Sequence, residues 1–334
     1  MCITFIKDYL EEGVREEIML IGIDLGGTSI KAGLVDFEGN ILRQDSIPTR
    51  VAAGYSAILQ DISRLIKELT AAHGIGLEDI HSVGIGVPGL AQYNTGRVVY
   101  SANLAWENAE LGMELQSLLN KKVYVENDAT VAGLAESLFG STRGADNSVL
   151  LTLGTGIGSG IIINRRIYSG SHAAGSEFGH MIVGENFYDC NCGNNGCFET
   201  LASATSIIRY SQHRLKEDGL KSKILELADN KLQNITAEII FDAAKCGDAL
   251  ALETVDRMCK YLATGIFNIY NVLDPDIVAI GGGISKAGDF LLERVREKAE
   301  GMLFTSAIKY GDIVLATLGN KAGIIGSAFL YKSH

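Results

Sequence analysis

The stretch "NSVLLTLGTGIGSGIIINRRIY", residues 147–168, runs from an apolar segment through a Gly/Thr turn into a second apolar segment and a polar turn. Residues 18–42, "IMLIGIDLGGTSIKAGLVDFEGNIL", follow the same plan. Each reads as two strands joined by a glycine-rich turn. The unit recurs about half a chain later, a weak internal repeat of the kind that signals duplicated architecture. It predicts two similar α/β domains facing each other across a cleft.

The surrounding sequence alternates in the same sense. Residues 55–74 place apolar side chains at helical spacing and end at Gly74. "HSVGIGVPG" (81–89) reads as a strand entering a loop, and "KKVYVEN" (121–127) as another strand. "DATVAGLAESLFG" (128–140) reads as a small-residue helix that starts at Asp128 and stops at Gly140. Residues 236–274 are long and helical in pattern, "PDIVAIGGGIS" is a strand ending in three glycines, and residues 321–333 form a short terminal helix. Strands alternating with helices define an α/β class.

Composition narrows the function. The 334 residues are 47% hydrophobic and 21% charged, which fits a folded globular chain. Thirty-nine glycines against three prolines imply many tight turns, often where backbone meets a ligand. A net charge of −11 without a basic block argues against nucleic acid as a partner, because phosphate neutralisation needs a cationic face. The opening residues are too acidic for a secretory signal, and no apolar stretch reaches the roughly 20 residues of a membrane span. A cytoplasmic setting with reduced thiols is expected. Residues 1–18 differ in character from the rest of the chain, so either translation starts at Met19 or they form a frayed arm.

Four stretches carry chemistry. "DLGGTSIK" (24–31) and "LGTGIGSG" (153–160) turn successive amides toward a common point, as phosphate oxygens require, with Thr adding a hydroxyl donor. Neither is a Walker loop, and counted from Gly154 the second lacks the last glycine of GxGxxG, having Ser159 there. In "VENDAT" (125–130), Asp128 reads either as a helix cap or as a carboxylate at a strand's C-terminal end, where it could take a proton from a hydroxyl. In "CNCGNNGCFE" (190–199), three thiols lie within eight residues, and with His180 they make a Cys3His set suited to tetrahedral zinc. Reduced loop cysteines are the plainer alternative, but the density of thiols favours the metal. Glu177 and Glu199 flank these ligands, and carboxylates accept well from the adjacent hydroxyls of a sugar.

Taken in order, these stretches resemble the ROK group of sugar kinases and repressors, which share the two-lobed ribonuclease H/actin-like fold (ASKHA). The resemblance runs from about Met19 to the C-terminus. It rests on "DLGGTSIK", "GVPG" (86–89), "NLAW" (103–106), "ENDA" (126–129), "LGTGIGSG", "EFGHM" (177–181), "CNCGNNGCFE" and "DPDIVAIGGG" (274–283). It implies an ATP-dependent hexose kinase with ATP and sugar in the interdomain cleft. Asp128 would be the general base, and Gly89, Asn103, Asn127, Glu177, His180 and Glu199 would join it in holding the sugar. Asp24, Gly26, Gly27, Thr28, Lys31, Thr155, Gly156, Gly282 and Gly283 would serve ATP, with Asp24 helping to place Mg²⁺. Structural Zn²⁺ on His180, Cys190, Cys192 and Cys197 would brace the sugar loop.

The resemblance also implies a homodimer and a division into an extension at 1–18, a small lobe at 19–125 completed by a C-terminal helix at about 318–334, and a large lobe at 126–317. Glucose is the expected sugar and N-acetylmannosamine the runner-up, with Thr130, Phe198 and Leu201 departing from common family choices. Two non-kinase readings are weaker. A family regulator would need a helix-turn-helix, for which 18 residues are too few, and a sensor without catalysis would not need an intact Asp128 and two phosphate loops.

Overall fold

In the computed structural model, residues 18–217, 219 and 221–333 are described. The readings made for residues 1–17 lie outside them. The chain divides into two units: one runs through Ala135 and resumes at Asn320, and the other is Glu136–Gly319.

The first unit opens with β1 (Met19–Leu25), β2 (Ser29–Val35) and β3 (Ile41–Pro48), followed by α1 (Tyr55–His73) and β4 (Ile80–Val87). Then come β5 (Leu90–Gln92), β6 (Arg97–Ser101), β7 (Trp106–Ala109), α2 (Leu111–Leu119), β8 (Lys122–Asn127) and α3 (Asp128–Phe139). β1 pairs antiparallel with β2, which pairs antiparallel with β3, while β1, β4 and β8 run parallel. The order is therefore β3-β2-β1-β4-β8. β1 is buried almost throughout, as a strand covered on both faces must be. β3 is the exposed edge, and Arg43, Gln44, Asp45 and Ser46 blunt it against pairing with other chains. α1 buries Ile58, Leu59, Ile62, Leu65, Ile66 and Leu69 along one face and ends at Gly74 in the left-handed region. The small antiparallel sheet β5-β6-β7 was not read from the sequence.

The second unit repeats the plan. β9 (Ser148–Leu153), β10 (Ile157–Ile163) and β11 (Arg166–Ile167) form the meander. Helices α4 (Phe198–Ala202), α5 (Ala204–Glu217), α6 (Lys223–Leu227), α7 (Ala237–Lys245) and α8 (Ala249–Leu273) follow, then β12 (Ile277–Gly281), α9 (Asp289–Glu300) and β13 (Asp312–Leu315). The order β11-β10-β9-β12-β13 has the same parallel and antiparallel relations, strand for strand, as the first sheet. The duplication expected from the repeat is thus present at the level of topology. The helical stretch 236–274 is broken between α7 and α8: Gly247 has φ of 80°, and Asp248 caps α8 by accepting from the Ala251 amide at 2.9 Å.

The last helix, α10 (Ala322–Ala328), returns to the first sheet. It lies so close that a Cβ at Gly84 would stand 1.7 Å from the Ser327 carbonyl oxygen, and the Ser327 hydroxyl donates to the Ile23 carbonyl at 2.9 Å. Glycine in β4 is what admits that approach. The lobe boundaries expected at 125/126 and 317/318 shift to 135/136 and 319/320. The cause is packing. Val131 of α3 sits against Gly326 of α10, whereas from Glu136 onward the side-chain bonds of α3 go to Ser141, Thr317 and Leu318. Among the described residues, no helix is long and apolar enough to cross a membrane.

Candidate active site

The predicted site residues divide between the two units. In the first, the turn 26–28 joins β1 to β2, closed by the Gly26 amide donating to the Ser29 carbonyl at 2.9 Å. Thr49, which sequence reasoning missed, clamps this turn. Its hydroxyl donates to the Gly26 carbonyl at 2.6 Å and its amide to the Thr28 carbonyl at 3.0 Å. Nothing local in "SIPT" signals that role, because the contact spans 23 positions. Lys31 and Asp24 face each other from paired strands, Nζ to Oδ2 at 2.8 Å. The exposed Asn103 lies beside the turn, its Cβ 3.4 Å from where a Cβ on Gly27 would be.

Asn127, not Asp128, makes the helix cap: its Oδ1 accepts from the amides of Ala129 at 2.9 Å and Thr130 at 3.1 Å. The Asn127 Nδ2 donates to the Gly89 carbonyl at 3.0 Å, which ties two predicted sugar residues together. Asp128 is left as the first residue of α3, exposed, with Oδ1 accepting from the Ala129 amide at 2.8 Å. The helix N-terminus favours a negative charge there.

In the second unit, the turn 154–156 is held by the Gly154 amide on the Gly156 carbonyl at 3.0 Å, with Thr155 exposed at its tip. Gly282, with φ of 80°, packs against the end of β9 that feeds this turn, and Gly283 opens the following helical turn. The two predicted ATP segments of this unit are therefore neighbours. Glu199 lies in the first turn of α4, and its Oε2 is 2.4 Å from where a Cβ on Gly156 would stand. Glu177 is exposed just before the turn Phe178–His180. Ser159 fixes that turn, donating to the Ser176 carbonyl and accepting the Phe178 amide at 3.2 Å. The position that broke the GxGxxG pattern thus anchors the His180 segment.

The four residues of the Cys3His set lie together. One ligand atom from each of His180, Cys190, Cys192 and Cys197 lies within 4.8 Å of all the others. Cys192 Sγ and Cys197 Sγ are 3.5 Å apart, and Cys190 Sγ is 3.7 Å from His180 Nδ1. Tetrahedral zinc with sulfur at about 2.3 Å requires edges of about 3.8 Å, which these two pairs approach. Burial pushes the Cys190 thiol up, with Glu199 adding to the effect, and burial also raises Cys197. Cys192 is exposed and lowered to about 7, chiefly by the Asn194 backbone N–H. Cys190 Sγ donates to Glu199 Oε1 at 3.1 Å, so the ligand cluster and the carboxylate form one network. A separate cavity of about 450 Å³, lined by Phe187, Tyr188, Arg209, His213 and Lys216 among others, includes none of the predicted residues.

Comparison with known proteins agrees on the family. The sequence profile of the ROK family matches residues 20–334. The glucokinase of Halalkalibacterium halodurans is 37% identical over 313 residues, covering 93% of this chain and 94% of that one. The glucokinase of Thermotoga maritima is 38% identical over 317 residues, covering 95% and 98%. The crystal structure of a ROK family glucokinase from Streptomyces griseus, in complex with glucose and AMPPNP, superposes with a TM-score of 0.79 at 31% identity, covering 93% of this chain and 98% of that one.

Proposed function

The chain belongs to the ROK family, and from that premise we propose that it is an ATP-dependent glucokinase, converting glucose and ATP to glucose 6-phosphate and ADP. The observation that carries the reading is the start of α3. Asn127 takes the capping role and holds Gly89, which leaves Asp128 exposed at the first helical position. In this reading Asp128 accepts the proton of the sugar hydroxyl as that oxygen bonds to the γ-phosphorus and the bond to the β-phosphate bridging oxygen breaks. Asn103, Asn127, Glu177, His180, Glu199 and Gly89 orient the sugar. The turns at 26–28 and 154–156, with Gly282 and Gly283, hold the nucleotide. Mg²⁺ bound with ATP would neutralise phosphate charge, with Asp24 and its partner Lys31 beside it.

Zn²⁺ on His180, Cys190, Cys192 and Cys197 would brace the loop that ends in Glu199 and leave the reaction itself to the other groups. The closeness of the four donor atoms, in the segment that runs into Glu199, supports that role. A homodimer in the cytoplasm completes the reading, supported by family likeness and by the reduced-thiol ligand set.

The test is a panel of glucose, mannose, N-acetylmannosamine, N-acetylglucosamine and fructose with MgATP, ranked by kcat/KM. Glucose should rank first. N-acetylmannosamine in first place would shift the substrate, and no turnover of any sugar would leave a sensor. Sedimentation of the pure protein checks the dimer.

A further inference from the structure

Glu136 is 1% exposed, yet its carboxylate accepts five hydrogen bonds. Oε1 takes the amides of Thr317 at 2.9 Å and Leu318 at 2.8 Å. Oε2 takes the Ser141 amide at 2.7 Å, the Ser141 hydroxyl at 3.0 Å and the Thr317 hydroxyl at 3.3 Å. A carboxylate has only acceptor sites, about four of them, so all are engaged and no neutral side chain reproduces the set. Gly140 is part of the arrangement, since a Cβ there would stand 2.0 Å from Oε2.

The position matters more than the count. Glu136 is the first residue of the second unit, and Thr317 and Leu318 are close to its last, Gly319. Upstream of Glu136 on the same helix is Asp128, about 12 Å away at 1.5 Å per residue. Downstream of Leu318 comes α10, where a Cβ on Gly323 would lie 3.1 Å from the Asp24 carboxyl carbon. One buried carboxylate therefore fastens the helix that begins at Asp128 to the segment that leads to the backing of Asp24.

We infer that Glu136 is a positioning residue for phosphoryl transfer, fixing α3 and the 317–318 segment together so that Asp128 and Asp24 hold their stations. Transfer between aligned oxygens is steep in geometry, and a displacement of about 1 Å can cost about a hundredfold in rate. This inference rests on the kinase reading.

The test compares wild type with Glu136→Gln and Gly140→Ala, well below each protein's measured Tm. In Glu136→Gln, one oxygen becomes an NH₂ that faces donors. The expected result is a kcat for glucose phosphorylation at least about tenfold lower, with glucose KM within about threefold of wild type and zinc content unchanged. Amide hydrogen exchange should rise at Ser141, Thr317 and Leu318 and also in the first turn of α3, residues 128–131. A lowered Tm with wild-type kcat, or faster exchange confined to 141, 317 and 318, would reduce Glu136 to a local stabiliser and overturn the inference. The wild-type arm separates the two ideas. If wild type phosphorylates no sugar, the kinase reading fails, and the exchange pattern in residues 128–131 still decides whether Glu136 governs that turn.

Discussion

The Asn127 amide nitrogen donates to the Gly89 carbonyl at 3.0 Å while the same side chain's oxygen caps α3. One residue therefore sets both the loop expected to touch the sugar and the direction in which Asp128 leaves β8. Asn127→Ala should lose about 1 kcal/mol of stability, as removal of a cap does, and should raise glucose KM. Urea unfolding beside steady-state kinetics checks both, and an unchanged midpoint with unchanged KM would remove the linkage.

Asp128→Asn keeps the shape and removes the base. Turnover should fall by about 10²–10⁴, while glucose still binds and the circular dichroism spectrum stays as in wild type. Activity near wild type would assign proton removal to another group.

The cysteine cluster predicts an order of reactivity. With metal removed by a chelator at pH 7.5, iodoacetamide should label Cys192 first, because it is exposed and lowered to about 7 and so is largely thiolate. Cys190 and Cys197, raised by burial, should lag behind it. Restored zinc should suppress all three. Peptide mass mapping reads the order, and equal labelling with and without zinc would contradict a metal site. Cys192→Ser should likewise lose zinc and weaken glucose affinity.

Asp61 on α1 is buried and accepts from Arg50 at 2.8 and 2.9 Å and from Arg64 at 2.9 Å. The bond from Arg50 holds its carboxyl below the usual carboxylate range. A depressed folded-state pKa gives stability that is present above the unfolded value, about 4, and lost as pH falls through the folded one. Arg50→Ala should therefore be less stable than wild type at pH 7, with the gap closing below about pH 4. Denaturation at several pH values tests this, and a gap constant with pH would show that the pair is not the cause.

The strand–turn–strand repeat was legible because alternation and glycine turns are local signals, and the repeated strand order of the two sheets follows from it. The Cys3His set was legible for the same reason: three of its members share one loop. What sequence could not show is long-range. Glu136 looks like a surface carboxylate of a helix until Thr317 arrives from 181 positions away. The cap reading of Asp128 stood open because Asn and Asp both serve that role, and only the backbone decides which of two neighbours is outside the helix. The break at Gly247 lay within an apolar pattern that continues in phase on both sides.

The return of α10 to the first sheet has a consequence for biosynthesis. Residues Glu136–Gly319 are contiguous, so that half can mature while the nascent chain is still emerging. The first unit, though its strands are translated earlier, must wait with Gly22 and Gly84 uncovered until α10 has followed the second unit off the ribosome. Of the two units, the one whose strands are made earlier is the later to close.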